Sequence, residues 1–425
     1  MSGKLWLILL MTPIPVQAQV FHGTWQGYWI RAGDSMLVTL TIQRDSVTGR
    51  YAAAFDADRL RVRGIPFTEV AVQGCCDVSM TLRGDQTTAV FKGRLSGDSL
   101  TGTLEESTGD GRFAYARVRT PPAPLEEREI SFTSGEAKLA GTLLMPQRGN
   151  NLTAVVFLHG SGAEGRWASR FLATRLAERG VAALIFDKRG VGGSTGDWRR
   201  AGIDDLASDG AAAVARLRQE PRIDPRRIGL HGHSQGGTLV PMVATRATEV
   251  GFVIGSAAAG VPMDSVEIFS VLNAVYPAAR STLDSANARD YFEELVSVAY
   301  HQRPRARLDS LARSYRERPW FIAPPPPDNV YWSISPMFAR YRALDWWSRV
   351  RVPVLLLYGA DDQRVPAAAS AERIAAALRR AGNDEVTIRL YPGADHTFRL
   401  PPGPGGWPAT APGYLSDLLD WIARR

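Results

Sequence analysis

Gly232-His233-Ser234-Gln235-Gly236 closes a short apolar run and opens onto a helix-compatible segment from Thr238. A strand-to-helix elbow needs this spacing, because the chain turns so sharply that glycines must flank the serine, whose hydroxyl is pushed clear of the backbone. An ordinary turn would tolerate the same residues, so the rest of the chain must decide. Serine is a poor nucleophile at neutral pH. It needs a base, and the base needs an acid to orient it. Two later strand ends supply candidates: LLLYGADDQRVP sets Asp361 and Asp362 just past one apolar strand, and IRLYPGADHTF sets Asp395 and His396 just past the next. The order Ser, Asp, His is the one an elbow serine opens. The chemistry this composition could perform is acyl transfer through a serine ester.

These residues need elements to position them. From residue 20 to 119 the pattern has period two, as in SMLVTLTIQ, CDVSMTLRG, TAVFKGRL and GRFAYARVR, broken by Gly97-Asp98 and Gly109-Asp110-Gly111. That reads as an antiparallel β barrel or sandwich with one packed face and one wet face. A Pro-rich linker is expected over 120–128. Residues 129–425 then change period: a hairpin, followed by fully apolar strands (TAVVFLHG, VAALIF, RIGLHGHS, GFVIGSAAAG, VPVLLLYG) alternating with helices. Continuous apolar strands require a mostly parallel sheet covered on both faces by helices, an α/β architecture whose catalytic groups gather at the carboxyl ends of the strands. A helix-rich, aromatic insertion at about 261–347 interrupts this sheet and is placed where a lid would lie. Most of its aromatics are expected to form its own small core.

At the N-terminus, Lys4 precedes Leu5-Trp6-Leu7-Ile8-Leu9-Leu10-Met11, and Val16-Gln17-Ala18 ends in small residues. This predicts a signal peptide over 1–18 and an exported protein, periplasmic or secreted. The run is too short for a permanent anchor, and no transmembrane segment is expected in the mature chain. The net charge of +7 rests almost wholly on scattered arginines. They form no basic stripe with interleaved aromatics, so no nucleic acid is expected as a partner. No cofactor fingerprint and no metal-ligand set is read. Cys75 and Cys76 are adjacent, for which two free thiols are the commoner state. Oligomeric state has no signature in the sequence.

Residues 128–425 resemble the α/β-hydrolase family, particularly bacterial exported hydrolases near the serine-aminopeptidase and dienelactone-hydrolase branches. The resemblance rests on His159-Gly160-Ser161-Gly162, DKRGVGGSTG (187–196), Gly232-x-Ser234-x-Gly236, GADDQRVP and GADHTF. It implies Ser234 as nucleophile, Asp362 as orienting acid and His396 as general base. Asp362 is preferred to Asp361 because it stands three residues before Val365-Pro366, as in the family pattern; Asp361 is left to cap the following helix. The oxyanion needs aimed backbone donors, expected from the N–H groups of Gln235 and, in the loop after VVFLHG, Ser161. The β region resembles lipocalin-like domains only in pattern and in its Gly23-Thr24-Trp25 opening.

His159 and His233 are expected to fix loops, with His233 turned away from Ser234, and Asp187 and Arg189 to hold the loop beside the site. Dienelactone hydrolases carry a cysteine nucleophile where this elbow has Ser234. Glu293 and Glu294 could receive a peptide amine, but a solvated helix face is the simpler reading. The expected activity is an exported serine hydrolase cleaving carboxylic esters of a small-molecule or peptide-like acyl substrate. A peptidase, amidase or thioesterase on the same triad is the alternative. A ligand- or envelope-binding protein acting through the β domain is the alternative of another class.

Overall fold

A computed structural model of the chain describes residues 21–84, 88–107, 109–119, 125–247 and 250–425. The expected signal segment, 1–18, and residues 120–124 of the expected linker lie outside the described residues. Two compact units emerge: one holds residues 21–58, 64–119 and 404–406, the other 59–63, 125–403 and 407–425.

The first unit is a sheet of nine strands: β1 (Gly23–Arg31), β2 (Asp34–Arg44), β3 (Tyr51–Ala57), β4 (Val62–Pro66), β5 (Glu69–Gln73), β6 (Asp77–Arg83), β7 (Thr88–Ser96), β8 (Ser99–Glu106) and β9 (Gly111–Arg117). Their order is β4-β3-β2-β1-β9-β8-β7-β6-β5, a meander in which the first and last strands meet at the centre. Alternation decides which face is inside: Met36, Val38, Leu40 and Ile42 of β2 are buried while their neighbours are not. The inner face is filled by rings. Trp29 packs on Phe55 and Phe91 with centroids 4.9 Å apart, and Phe67 meets Phe91 at 5.3 Å. Aromatic side chains therefore occupy the space a ligand-holding barrel would leave open. Cys75 and Cys76, expected as thiols, are joined by a disulfide in the β5–β6 turn, which begins at Gly74 with φ +60°.

The second unit is built on an eight-stranded sheet. Its strands are β10 (Glu126–Ser134), β11 (Ala137–Met145), β12 (Leu152–Leu158), β13 (Ala182–Phe186), β14 (Ile223–His233), β15 (Val250–Ser256), β16 (Val354–Gly359) and β17 (Val386–Tyr391). The order is β10-β11-β13-β12-β14-β15-β16-β17. β10, β11 and β13 pair antiparallel, and from β13 onward every pair is parallel. β10 begins at Glu126, inside the stretch expected as linker, because Glu126 pairs in register with Met145. All seven residues of β12 are buried, as a strand covered on both faces must be. The covering helices are α1 (Trp167–Ala177), α2 (Ile203–Leu217), α3 (Gln235–Arg246), α9 (Ala367–Arg380) and α10 (Tyr414–Ala423). This is the mostly parallel α/β sheet expected from the strand pattern, in the arrangement implied by the resemblance to α/β hydrolases.

Between β15 and β16 stands the helical insertion: α4 (Met263–Val275), α5 (Thr282–His301), α6 (Ala306–Tyr315), α7 (Tyr331–Ala339) and α8 (Ala343–Trp347). Tyr291, Phe292 and Trp320 pack with Leu272, Val275 and Leu308 into a core of its own, whereas Trp347 joins the core beneath the sheet. Among the described residues no helix is long and apolar enough to cross a membrane.

Candidate active site

β14 ends at His233 and α3 begins at Gln235, so Ser234 alone makes the turn, with φ +57° and ψ −116°. Such a backbone is strained for any L-residue and persists only where surrounding packing imposes it. The packing is visible. A Cβ on Gly232 would lie 2.2 Å from the carbonyl carbon of Gly236, and one on Gly236 would lie 2.4 Å from the carbonyl oxygen of Leu158. The Ser234 N–H donates to the Ser256 carbonyl at 2.9 Å, pinning the elbow to β15.

Asp362 and His396, the expected acid and base, follow β16 and β17. His396 Nδ1 lies 2.7 Å from Asp362 Oδ2, with the Asp362 side chain fully shielded from solvent and the imidazole 11% exposed. The other carboxylate oxygen, Oδ1, accepts the N–H groups of Arg364 at 2.7 Å and Val365 at 2.9 Å. Asp362 is thus held on both sides. Asp361, expected to cap the following helix, does not: α9 starts after Pro366, Asp361 is exposed, and the turn's free N–H groups are taken by Asp362. Asp395 shapes the histidine loop, accepting from Thr397 N at 2.7 Å and Arg399 N at 2.9 Å.

His233 joins the elbow to this loop. Its Nε2–H donates to the His396 carbonyl at 2.9 Å, and the two rings lie 4.9 Å apart. The residue before Ser234 therefore grips the residue that would serve it. Among the described residues the Ser234 hydroxyl makes no hydrogen bond to the imidazole, and the link between the elbow and the histidine loop is the His233 contact.

As the first residue of α3, Gln235 presents an N–H with no partner inside the helix. The facing loop follows β12. His159 fixes it by donating Nε2–H to the Phe186 carbonyl at 2.5 Å. Glu164 Oε2 accepts the Gly160 N–H at 2.6 Å, while the Ser161 N–H has no acceptor among the described residues. Lys188, which sequence reasoning passed over, lies beneath both. Its ammonium donates to Gly160 O at 2.8 Å, Gly162 O at 3.1 Å and Gln235 Oε1 at 2.8 Å. The only signal for it in sequence was its place between Asp187 and Arg189. Those two behave as expected of structural residues: Asp187 accepts from Arg166 and from Gly193 N, and Arg189 forks onto Asp209.

Burial dominates the electrostatics here. It pushes Lys188 down to about 8, with Glu164 opposing. It also pushes His159 and His233 down to about 4 and His231 to about 3. All three histidines are neutral at pH 7. Among the described residues no group of histidine, cysteine and carboxylate side chains is placed to hold a metal ion. In the insertion, Glu293 pairs with Arg289 and Glu294 with Arg307. Asp362 pairs with the His396 imidazole, the His396 carbonyl accepts from the residue before the strained Ser234, and the N–H groups of Ser161 and Gln235 have no protein acceptor among the described residues.

The model of a family described as serine aminopeptidase, S33, matches residues 149–400. The quorum-quenching protein AidA of Acinetobacter baumannii is 33% identical over 135 residues, which are 32% of this chain and 43% of that protein. The thiohydrolase aneE of Aspergillus aculeatus is 34% identical over 111 residues, 26% of this chain and 34% of that one. The chain spans less than half the length of each of these two relatives. Among solved structures, a Pyrococcus furiosus esterase is 18% identical with a TM-score of 0.44, covering 72% of this chain and 93% of that one. A dienelactone hydrolase of Anabaena variabilis is 18% identical with a TM-score of 0.39, covering 71% and 97%.

Proposed function

Because this chain belongs to the serine aminopeptidase family S33, we propose that it is an exported serine hydrolase of carboxylic esters, working through a Ser234 acyl-enzyme. The observation that carries this reading is the contact chain Asp362–His396–His233, which runs from a buried carboxylate to the residue adjoining the serine. With Nδ1–H donated to Asp362, the His396 Nε2 carries the free lone pair and is the base. Apo geometry at such sites is commonly loose and tightens with substrate.

Ser234 Oγ attacks the ester carbonyl carbon as His396 Nε2 takes its proton. The carbonyl π pair moves to oxygen, where the N–H groups of Gln235 and Ser161 receive it. Collapse of the tetrahedral intermediate breaks the bond to the alcohol oxygen, which leaves with the proton from His396. Water, deprotonated by the same imidazole, then releases the acid and restores the serine. The insertion between β15 and β16 covers this end of the sheet as a lid and sets acyl selectivity. The first unit, its interior filled, acts as an accessory packing domain.

The family description favours a second reading, a peptidase on the same triad. Against it, Glu293 and Glu294, which could receive a peptide ammonium, are engaged by arginines. A panel of p-nitrophenyl esters, acyl thioesters and aminoacyl anilides separates the readings, because an amine leaves only if His396 protonates it. The ester reading predicts turnover of the esters, and Ser234→Ala without it. Anilide turnover exceeding ester turnover would replace that reading. Export is tested by fractionating cells that express the full chain: processed protein outside the cytoplasm is expected, and full-length protein confined to the cytoplasm overturns it.

A further inference from the structure

We propose that Lys188 is the positioning residue of the oxyanion hole, a buried ammonium that holds the loop Gly160–Gly162 and the Gln235 side chain in one fixed arrangement. This rests on the reading of Ser161 and Gln235 as oxyanion donors. A lysine ammonium has three N–H bonds and no lone pair. Here all three are used, on Gly160 O, Gly162 O and Gln235 Oε1, and the residue is 2% exposed.

What the clamp accomplishes follows from peptide geometry. The structure holds no cis peptide among the described residues, and in a trans peptide the C=O and N–H point in opposite directions. The Gly160 carbonyl and the Ser161 N–H belong to one such plane. With its oxygen fastened to Lys188, that plane turns the Ser161 N–H away from the ammonium. Rotating the plane by half a turn would send a carbonyl oxygen where the donor stood and repel the developing oxyanion. Such a flip turns ψ of Gly160 and φ of Ser161, and Gly160, without a Cβ, opposes its share only weakly. Glu164 holds the preceding plane through the Gly160 N–H, so both planes around Gly160 are fixed and only the Ser161 donor is left free.

The charged and titratable groups facing the ammonium are few. Glu164 comes from the loop after β12, Asp209 from α2, already forked by Arg189, and neutral His159 from the end of β12; the Trp198 ring lies 5.5 Å away. From α3 only the uncharged Gln235 amide reaches it. Burial brings its deprotonation to about pH 8. The neutral amine then keeps two donors for three acceptors, and the clamp loosens.

The test uses p-nitrophenyl acetate and the full chain. Lys188→Met is expected to lower kcat/KM about 100-fold through kcat, the size of losing one oxyanion donor, with KM within threefold. Affinity for a trifluoromethyl ketone should fall by a similar factor. Wild type should show an alkaline fall in kcat/KM centred near pH 8 that the variant lacks. A kcat/KM within threefold of wild type, a loss carried by KM alone, or a wild-type alkaline limb retained in the variant overturns the proposal. If Lys188→Met does not fold, the wild-type profile decides: a flat profile to pH 9.5 overturns the inference, and the limb at constant thermal midpoint supports it. Ser234→Ala run in parallel keeps the two readings apart, since turnover in that variant sinks the serine mechanism whatever Lys188 does.

Discussion

Asp362→Asn isolates the orienting carboxylate with almost no change in shape. Its two oxygens do different work: Oδ1 accepts two backbone N–H groups, and Oδ2 accepts the imidazole. An asparagine has two ways to sit there. With its oxygen on Arg364 N and Val365 N, the amide NH2 faces His396 Nδ1, so the imidazole must carry its proton on Nε2 and ceases to be a base. With the amide reversed, two buried N–H groups lose their acceptor and meet an NH2, costing roughly 1–3 kcal/mol each. The first arrangement therefore wins by several kcal/mol. Folding is largely kept and the wrong tautomer is locked in. The expected loss is about 10⁴-fold in kcat, the size seen when a triad carboxylate becomes an amide, or about 5.4 kcal/mol at 1.36 kcal/mol per decade. Initial rates on a p-nitrophenyl ester give the number, and a thermal melt shows that the variant is folded. A folded variant keeping more than a tenth of wild-type kcat would refute the role given to Asp362.

Ser234→Gly removes the strain at φ +57° and should stabilise the fold by about 1 kcal/mol after glycine's unfolded-state entropy, raising Tm by about 2 °C while abolishing turnover; a lowered Tm would contradict the strained elbow. Gly236→Ala places a Cβ 2.4 Å from Leu158 O and 2.8 Å from His159 O, so a cost of about 3 kcal/mol is expected, visible as a fall in urea midpoint, with activity lost as the oxyanion loop is displaced. The buried histidines set an acid limit. Their folded values, about 4, 3 and 4 for His159, His231 and His233, lie below the ordinary 6.5, so the unfolded chain binds more protons in between. Their contribution is complete above pH 6.5 and is lost as pH falls toward 4. Urea midpoints should drop from pH 7.5 to pH 5, and a midpoint higher at pH 5 would contradict the assignment.

Periodicity made much of this fold legible. Alternation along SMLVTLTIQ marks a strand with one wet face, and the unbroken apolar run TAVVFL marks one covered twice. The elbow was legible because steric demand leaves glycine as the only residue at 232 and 236. What could not be read was contact between distant loops. Lys188 is one lysine in a polar loop until the fold sets it against Gly160 O and Gln235 Oε1, 28 and 47 residues away. His233 was rightly expected to hold a loop, but that the loop is the one bearing His396 depends on the segment after β17 reaching the end of β14 across two intervening strands of the sheet, which no local pattern encodes. The capping role assigned to Asp361 failed because one carboxylate, Asp362, serves both the turn and the imidazole. The start of β10 was likewise decided by register with β11.

The most direct test of the central claim is covalent. Purified protein is treated with a fluorophosphonate and digested, and the modified peptide is sequenced by mass spectrometry. One phosphonyl group per chain on Ser234, with ester turnover lost in proportion, is the predicted result. Full inhibition with the label on another residue, or complete labelling of Ser234 with turnover intact, would contradict it.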